Sequence, residues 1–426
     1  MKKKEIEKDI YKLIEQYFKL DRIEQQNKSS SEKIGVAFPC FDHLEVNSAL
    51  GSLLKLQISQ GDKVKKFERD FSKYIGIKNG VAVNSGSSAN LLAIAALVRI
   101  GYVKKGAEVI VPAATFTTVI SPIIQCGLKP VFVDIDKDTY NIDHQKIKDA
   151  ITKDTGLIMP VHSLGLPADM DSIMDIANEK GIPVLEDCCE AHGSSIGGKK
   201  VGSYGIANAF SFFVAHNMTS GEGGMVLTND DKLDALMRSM REFGRLINEN
   251  EEKERFHYSD NFLSDYDERY VFKYIGYNIR MTDIAASLGI EQLKKLDNFN
   301  MIRVENAKKL TSLLSNFKYI QLPKTPKNYF HSYYGYTVLI KNTKQFSRKD
   351  LVNHLENDGI ETRAFMGGNL SKQPAYRDEV FRISGDLFIT DNIEEKAFFI
   401  GCHPFMGDPE IERIADSFKS FFREIT

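Results

Sequence analysis

The chain has 426 residues, of which 42% are hydrophobic, and its formal net charge at pH 7 is −2. This length is enough for a large hydrophobic core and a second, smaller lobe. A charge so close to neutral argues against nucleic acid or an anionic membrane as the main partner. The first ten residues are mostly charged, and no apolar run reaches the ~20 residues that span a bilayer, so we expect a cytoplasmic protein.

The five cysteines are scattered and include no CxxC pair; they are Cys40, Cys126, Cys188, Cys189 and Cys402. This usage predicts neither a disulfide framework nor a zinc site, and we expect no bound metal. Cys188 and Cys189 follow an expected strand, and core packing is the simplest interpretation of them.

The N-terminal segment predicts a helix over residues 5–18, because its apolar side chains fall on one face. Residues 25–31 are polar and predict a linker. We expect residues 1–33 to form a helical extension that packs on the body of the protein or on a neighbouring subunit.

Between about residues 62 and 296, strand and helix patterns alternate. Val64, Phe67, Phe71 and Tyr74 form a helical stripe that Gly76 ends. Strands are expected at 81–83, 109–111, 131–133, 157–161, 184–185, 205–213 and 223–228, and helices at 89–100 and 170–179. This alternation predicts an α/β fold with a mostly parallel sheet covered by helices on both faces.

The segment 247–270 is polar, acidic and aromatic, which predicts an inserted loop. Expected helices at 303–314 and 351–357 and an expected strand at 334–340 indicate a smaller C-terminal α/β lobe. The predicted division is an extension at 1–33, a large domain at 34–297 and a small domain at 298–426.

Two short motifs carry candidate binding chemistry. Residues 84–90 read Asn-Ser-Gly-Ser-Ser-Ala-Asn, between an expected strand and an expected helix. Gly86 permits a tight turn there and the helix N-terminus can hold a phosphate, although an ordinary helix cap is the alternative. Asp187 follows the strand at 184–185, at the strand end where parallel sheets place ligands, and a capping aspartate is the alternative. Glu186 could take the same role.

His216 is the most informative residue. Residues 209–224 read Ala-Phe-Ser-Phe-Phe-Val-Ala-His-Asn-Met-Thr-Ser-Gly-Glu-Gly-Gly. This stretch resembles the cofactor-lysine segment of the DegT/DnrJ/EryC1/StrS family of sugar aminotransferases, with histidine in place of the lysine. Lysine holds pyridoxal phosphate as a Schiff base, whereas imidazole carries protons near neutral pH. In the nucleotide-sugar 3-dehydratase branch of this family, which acts on CDP- and GDP-linked 4-keto-6-deoxy sugars, histidine occupies this position.

The resemblance runs from about Phe38 to the C-terminus. It implies fold-type I of the PLP-dependent transferases, which is aspartate aminotransferase-like and has a large, mostly parallel sheet domain and a smaller C-terminal α/β domain. It implies pyridoxamine 5'-phosphate and pyridoxal 5'-phosphate as cofactor forms. The implied cofactor-binding residues are Gly86, Ser87, Phe116, Asp187, Glu190, Ser211 and Asn278.

The resemblance also assigns roles within that set. Asp187 would pair with the pyridine nitrogen, Ser211 would bind the phosphate and Phe116 would stack on the ring. Asn278 would reach the cofactor phosphate of the neighbouring subunit, which implies a homodimer with shared active sites. His162 matches a family segment near the cofactor, but a structural histidine is as good an interpretation, and we leave it out of the catalytic set.

Two departures from the dehydratase branch are visible. Asn217 stands where those dehydratases often carry a second histidine. Residues 241–270 contain no cysteine, whereas the CDP-sugar enzyme of the branch holds an iron–sulfur cluster on cysteines there. A [2Fe–2S] centre needs four protein ligands, mostly thiolates, so we expect no cluster.

The resemblance therefore implies C3 dehydration of a nucleotide-linked 4-keto-6-deoxy sugar in dideoxysugar biosynthesis, for an O-antigen or another polysaccharide. His216 would be the catalytic base and glutamate the amino donor. The alternatives are an iron–sulfur-dependent 3-dehydratase that works with a reductase, a sugar 4-aminotransferase-like protein, and a non-catalytic regulator or scaffold. The nucleotide, whether GDP, CDP or UDP, stays open.

Overall fold

The computed structural model describes residues 2–27, 33–245, 267, 270–341 and 343–424. The predicted insertion at 247–270 lies, apart from residues 267 and 270, outside the described residues. The N-terminal helix α1 spans Lys3–Asn27 and contacts α2, His43–Leu54. It is longer than the helix predicted at 5–18, because residues 19–26 are mostly strong helix formers and continue it into the predicted linker.

The larger part of the chain forms a sheet with helices between its strands. Its strands are β1 (Asn79–Val83), β2 (Glu108–Pro112), β3 (Lys129–Val133), β4 (Thr155–Ile158), β5 (Leu185–Asp187), β8 (Ala207–Ser211) and β9 (Gly224–Thr228). The short strands β6 (Ser195–Ile196) and β7 (Lys199–Lys200) pair with each other outside this sheet. The helices are α3 (Asp62–Ile75), α4 (Gly86–Ile100), α5 (Thr117–Gln125), α6 (His144–Ala150), α7 (Met170–Lys180) and α8 (Asp231–Arg241). Gly76 ends α3 with a φ of 90°, as its position predicted.

Pairing in this sheet is mostly parallel, which confirms the predicted fold class. β2 pairs in parallel with β3 and β4, and β5 pairs in parallel with β8. Parallel bridges Ile158–Val184 and Val161–Asp187 connect β4 to β5. β9 runs antiparallel to β1 and β8. The buried apolar side chains of the strands pack against α4, α5 and α8 on one face and against α3, α6 and α7 on the other.

The C-terminal part has its own antiparallel sheet. Helix α9 (Asp283–Leu293) packs against α2 and α3 of the larger part. The strands and helices of the C-terminal part are α10 (Leu296–Leu314), β10 (Ile320–Gln321), β11 (Tyr329–Phe330), β12 (Tyr336–Ile340), α11 (Arg348–Asn357), β13 (Thr362–Ala364), β14 (Arg382–Ile383), α12 (Phe388–Lys396), β15 (Ala397–Ile400) and α13 (Asp408–Glu424). The sheet order is β10-β12-β15-β13. None of the helices described is long and apolar enough to cross a membrane.

Two connections tie this C-terminal part to the remainder of the chain. β14 pairs in parallel with β3 and so adds a strand to the central sheet. Ile34 forms a bridge with Ile360 and packs in the C-terminal core. The strand predicted at 334–340 begins two residues later, at Tyr336, because residues 334 and 335 form a bend and the amide of Tyr334 donates to the carbonyl oxygen of Leu164 at 2.9 Å.

Candidate active site

The candidate site forms where two parallel strands end side by side. β5 ends at Asp187 and β8 ends at Ser211, and Asp187 lies opposite Ala209. The start of β9 pairs with the ends of both β8 and β1, so that Gly224 faces Ser211 and Val83. Strand order therefore brings three separate motifs to one edge of the sheet, at the carboxyl ends where α/β sheets bind ligands.

A cavity of about 320 Å³ opens at this edge. Most of the residues selected from the sequence line it: Gly86, Ser87, Phe116, Asp187, Glu190, Ser211 and His216. Asn278 does not line it; this residue is exposed, and its side chain accepts a hydrogen bond of 3.1 Å from Arg280. The structure thus brings together the catalytic candidate and all but one of the cofactor-binding candidates.

Other residues that line the cavity were not selected from the sequence. They include Thr115, Val161, Cys189, Glu222, Tyr334 and Met366. Glu222 lies within the segment 209–224, and Thr115 and Cys189 lie close to selected residues in the sequence. This closeness was the only feature of the sequence that could have indicated them. Tyr334 and Met366 come from the C-terminal part and carried no signal, because only tertiary packing brings them to the site.

The turn from β1 to α4 could hold an anion, and we call it the cradle. Ser85 caps α4 by accepting a hydrogen bond of 3.1 Å from the amide of Ser88. The first amides of a helix have no intrahelical acceptor and carry the positive end of the helix dipole. A Cβ at Gly86 would lie 2.4 Å from the Cβ of Ser211, so only glycine keeps this cradle open. The first amides of α4 are the kind of donors that bind a phosphate group.

Asp187 is a buried carboxylate with a fixed orientation. Asn90 donates from Nδ2 to Oδ2 at 2.7 Å, and the amide of Cys189 donates to Oδ1 at 3.0 Å. The side chain nevertheless lines the cavity. A negative charge held in this way suits a protonated ring nitrogen.

Glu186, the competing carboxylate, points away from the cavity into the protein interior and is fully buried. It accepts hydrogen bonds from the backbone amides of Gly202, Tyr204 and Gly205. Its oxygens are therefore engaged in holding the loop before β8, and Asp187 is left as the carboxylate of the site.

His162 belongs to the same interior network. The amide of Ala168 donates to its Nδ1 at 3.0 Å, so the ring proton sits on Nε2 and is donated to Glu186 at 3.1 Å. His162, Glu186 and Cys188 lie close enough to hold a metal ion. The neutral ring, however, keeps no free lone pair for a metal, because one nitrogen accepts and the other donates.

His216 lies in the loop after β8, half-buried at the cavity. Its Nδ1 is 3.0 Å from the carbonyl oxygen of Ser211. A carbonyl only accepts, so Nδ1 carries the hydrogen and Nε2 of the neutral ring keeps a free lone pair. Burial lowers the pKa of His216 to about 4, although the hydrogen bond to Ser211 acts in the opposite direction. The imidazole is therefore neutral at pH 7 and able to accept a proton.

The next residue anchors this loop. Asn217 is buried and donates from Nδ2 to Oδ1 of Asn300 and to the carbonyl of Ser332, each at 3.0 Å. The ring of Tyr334 packs edge-on against His216, with the centroids 5.4 Å apart. The asparagine that departs from the dehydratase pattern thus has a structural task beside the catalytic candidate.

Glu190 is the second carboxyl group of the cavity. It accepts a hydrogen bond of 2.8 Å from the amide of Leu164. Burial raises the pKa of Glu190 to about 8, so this carboxyl is protonated at neutral pH. A protonated Glu190 can donate a hydrogen bond into the cavity, whereas Asp187 accepts hydrogen bonds from Asn90 and Cys189.

The family of the protein follows from this site and from direct comparison. Residues 39–419 match the DegT/DnrJ/EryC1/StrS aminotransferase family. Because the match covers most of the chain, the protein belongs to this family. The predicted resemblance and the predicted fold-type I architecture are both confirmed.

Individual relatives narrow the comparison. The chain is 37% identical over 378 residues to the dTDP-4-dehydro-2,6-dideoxy-D-glucose 3-dehydratase of Saccharopolyspora spinosa, which covers 86% of this chain and 82% of that protein. A crystal structure of a GDP-4-keto-6-deoxymannose 3-dehydratase with a trapped PLP–glutamate geminal diamine has a TM-score of 0.83 and 30% identity, covering 90% and 99% of the two chains. An aminotransferase from Psychrobacter cryohalolentis has a TM-score of 0.83 and 29% identity, covering 91% and 98%. The similar proteins thus include both dehydratases and aminotransferases.

Proposed function

We propose that the protein replaces the C3 hydroxyl of a nucleotide-linked 4-keto-6-deoxy sugar by hydrogen, with His216 as the catalytic base. The observation that carries this proposal is that Nδ1 of His216 bonds Ser211, so that Nε2 keeps a free lone pair beside a cavity whose residues fit the cofactor. Among the described residues that line the cavity, none is lysine. No lysine is therefore available in that part of the site to bind the cofactor covalently, and the imidazole of His216 offers a proton acceptor instead.

The residues around the cavity fit pyridoxamine 5'-phosphate and pyridoxal 5'-phosphate. The cradle at Gly86 and Ser87, together with Ser211, would hold the phosphate, and Asp187 would face the ring nitrogen. Phe116 is half exposed at the mouth of the cavity and would cover one face of the ring. Glu190 would donate a hydrogen bond to the cofactor or the sugar. When bound, the amine form would supply the two electrons with which hydrogen replaces the hydroxyl, and it would be converted to the aldehyde form with release of ammonia.

The chain's own contribution is proton handling at one atom. Nε2 of His216 takes a proton at the reacting centre, and the resulting imidazolium can return it to the departing C3 hydroxyl. A positioned base of this kind contributes roughly 10²–10⁴-fold to the rate. The hydrogen bond from Nδ1 to Ser211 supports this role, because it stabilises the imidazolium as well as the productive tautomer.

Glutamate is the proposed amino donor that restores the amine form of the cofactor. A relative trapped with glutamate on its cofactor supports this choice. The relatives act on dTDP- and GDP-linked sugars, so the nucleotide of this protein has to be found by experiment.

We further propose a homodimer with shared active sites. Asn278 is exposed, and the backbone carbonyl next to it, that of Ile279, accepts a hydrogen bond of 2.9 Å from the amide of Asn84 at the edge of the phosphate cradle. The side-chain amide of Asn278 lies at this edge but does not line the cavity of its own subunit, so it is suited to reach the cavity of a second copy.

The function is tested by supplying pyridoxamine 5'-phosphate, glutamate and GDP-, CDP-, dTDP- or UDP-linked 4-keto-6-deoxy sugars. Mass spectrometry should detect a 3-deoxy ketosugar, and His216→Asn should abolish its formation while cofactor absorbance on the protein persists. A 4-amino sugar as the product would establish the aminotransferase alternative. Stoichiometric iron in the purified protein would favour the cluster-dependent alternative. The proposal is wrong if His216→Asn retains full turnover.

A further inference from the structure

A fully buried arginine lies behind the cavity. Arg303 on α10 is 1% exposed. Its Nη1 donates to the carbonyl oxygens of Tyr333 and Tyr334, at 3.2 and 3.3 Å. Its Nε has no hydrogen-bond partner among the described residues, and no described carboxylate lies within ion-pair distance of it. A buried charge without a counter-ion is unfavourable on its own, so the contacts that Arg303 makes have to compensate for its burial.

The carbonyls that Arg303 binds belong to the segment that supports His216. The ring of Tyr334 meets the imidazole at an angle of 75°. The preceding residue, Tyr333, has a φ of 46°, a backbone conformation that residues other than glycine rarely adopt. Such a backbone persists only where neighbouring bonds hold it, and the guanidinium supplies two of them.

The same helix holds the loop that carries His216 at a second point. Asn300, one turn before Arg303, accepts a hydrogen bond of 3.0 Å from Asn217. It also donates to the carbonyl oxygen of His192 at 2.7 Å. The N-terminal half of α10 therefore contacts both sides of the imidazole, through Asn217 on one and through Tyr334 on the other.

The charge of Arg303 also acts on the imidazole. The other titratable groups around His216 are His192 and Tyr334, whose rings contact the imidazole, and Asp187, Cys189, Glu190 and Glu222, which line the same cavity. Burial keeps His192 neutral by lowering its pKa well below the ordinary range. The Arg303 cation adds to the effect of burial in lowering the pKa of His216.

We propose that Arg303 is a positioning residue for His216: its guanidinium holds Tyr334 against the imidazole, and its positive charge acts on the same ring. This inference rests on the proposed role of His216. It assigns to α10 a part in catalysis although none of its residues lines the cavity.

The test compares Arg303→Lys, which keeps the charge, with Arg303→Met, which removes it. Asn306→Ala is the matched control, because Asn306 is a buried residue one turn further along α10 that bonds the carbonyls of His403 and Met406, away from the cavity. The full chain is studied with and without pyridoxamine 5'-phosphate. The titration of His216 is followed by NMR on histidine-labelled protein, and its signal is assigned by its loss in His216→Asn.

Arg303→Met should move the titration of His216 to higher pH by about half a unit or more, whereas Arg303→Lys and Asn306→Ala should leave it in place. Arg303→Lys should lower kcat about tenfold with KM unchanged, because an ammonium cannot replace the planar fork at two carbonyls. Equal titrations in the two Arg303 variants would overturn the inference. If Arg303→Met does not fold, Arg303→Lys decides alone, and wild-type kcat in that variant overturns the inference.

The NMR titration separates this inference from the proposed function. If the wild-type protein dehydrates no sugar but Arg303→Met still shifts His216, the function is wrong and the electrostatic role of Arg303 stands. If the wild-type protein is a dehydratase and the titration of His216 is the same in all variants, the inference is wrong and the function stands.

Discussion

Asn90 donates a hydrogen bond of 2.7 Å to the carboxylate of Asp187, and both side chains are buried. Asn90 lies in the first turns of α4, whereas Asp187 ends β5, so this bond ties the phosphate cradle to the carboxylate that would face the ring nitrogen. The side-chain amide of Asn90 thereby fixes the position of Asp187 relative to the phosphate cradle.

The first prediction concerns this bond. Asn90→Ala should weaken cofactor binding by roughly ten- to a hundredfold, because a hydrogen bond to a buried charged group contributes about 1.5–3 kcal/mol. Asp187→Asn should lower turnover by roughly 10²–10³-fold, since it removes the charge and keeps the shape. Cofactor absorbance titrations and product formation measure the two effects. Asn84→Ala is the control, because Asn84 bonds Ser88 in the same turn and does not touch Asp187. Equal losses in Asn84→Ala and Asn90→Ala would contradict the prediction.

The second prediction concerns the cradle. Gly86→Ala would place a methyl group 2.4 Å from the Cβ of Ser211, so strand β8 or helix α4 must shift. We expect the affinity for pyridoxamine 5'-phosphate to fall by about tenfold or more, since overpacking of this kind costs about 1–3 kcal/mol. Gly51→Ala, in helix α2 where the added atom meets nothing nearer than 3.4 Å, serves as the control. Calorimetric titration with the cofactor measures the affinity of both variants. Unchanged affinity in Gly86→Ala would show that the cradle does not bind the cofactor.

These two predictions rest on features that local sequence patterns made visible. The strand before Asp187 and the turn at Gly86 are short-range signals, and the parallel sheet that they predict necessarily places both at one edge. Arg303 and Tyr334 could not be selected in this way. Tyr334 lies in a segment that looks like the start of a strand, and Arg303 begins what reads as an ordinary helix. Their burial and mutual contact arise from packing between parts of the chain that are distant in sequence.

The third prediction is a loss of stability in acid. Burial lowers the pKa of His216 and of His403 to about 4 and that of His331 to about 3, and it also lowers the pKa of His192. An unfolded chain binds protons at histidine near pH ~6.5, so between that value and about pH 4 the unfolded state holds more protons than the folded state. The stabilisation from these neutral rings is therefore complete above pH ~6.5 and is lost as the pH falls.

We expect the Tm to fall steadily from pH 7 to pH 4.5, by several degrees at least, with each fully buried histidine contributing on the order of 2–3 kcal/mol. His331→Gln should make this fall shallower, since it removes one group that must charge on unfolding. A Tm that stays level over this range would show that the buried histidines are already protonated in the folded protein.

The fourth prediction tests whether active sites are shared. His216→Asn and Asn278→Asp should each give an inactive homodimer, the second because a carboxylate would repel the cofactor phosphate. If Asn278 serves the cavity of the second copy, a mixed dimer contains one site with both changes and one site with neither. Refolding the two variants together in equal amounts should then restore up to about a quarter of wild-type activity, because half of the dimers are mixed and each has one intact site. If Asn278 serves its own cavity, every site in the mixture carries one change and no activity returns. Single-variant samples taken through the same refolding, together with size measurements in solution, separate complementation from simple recovery.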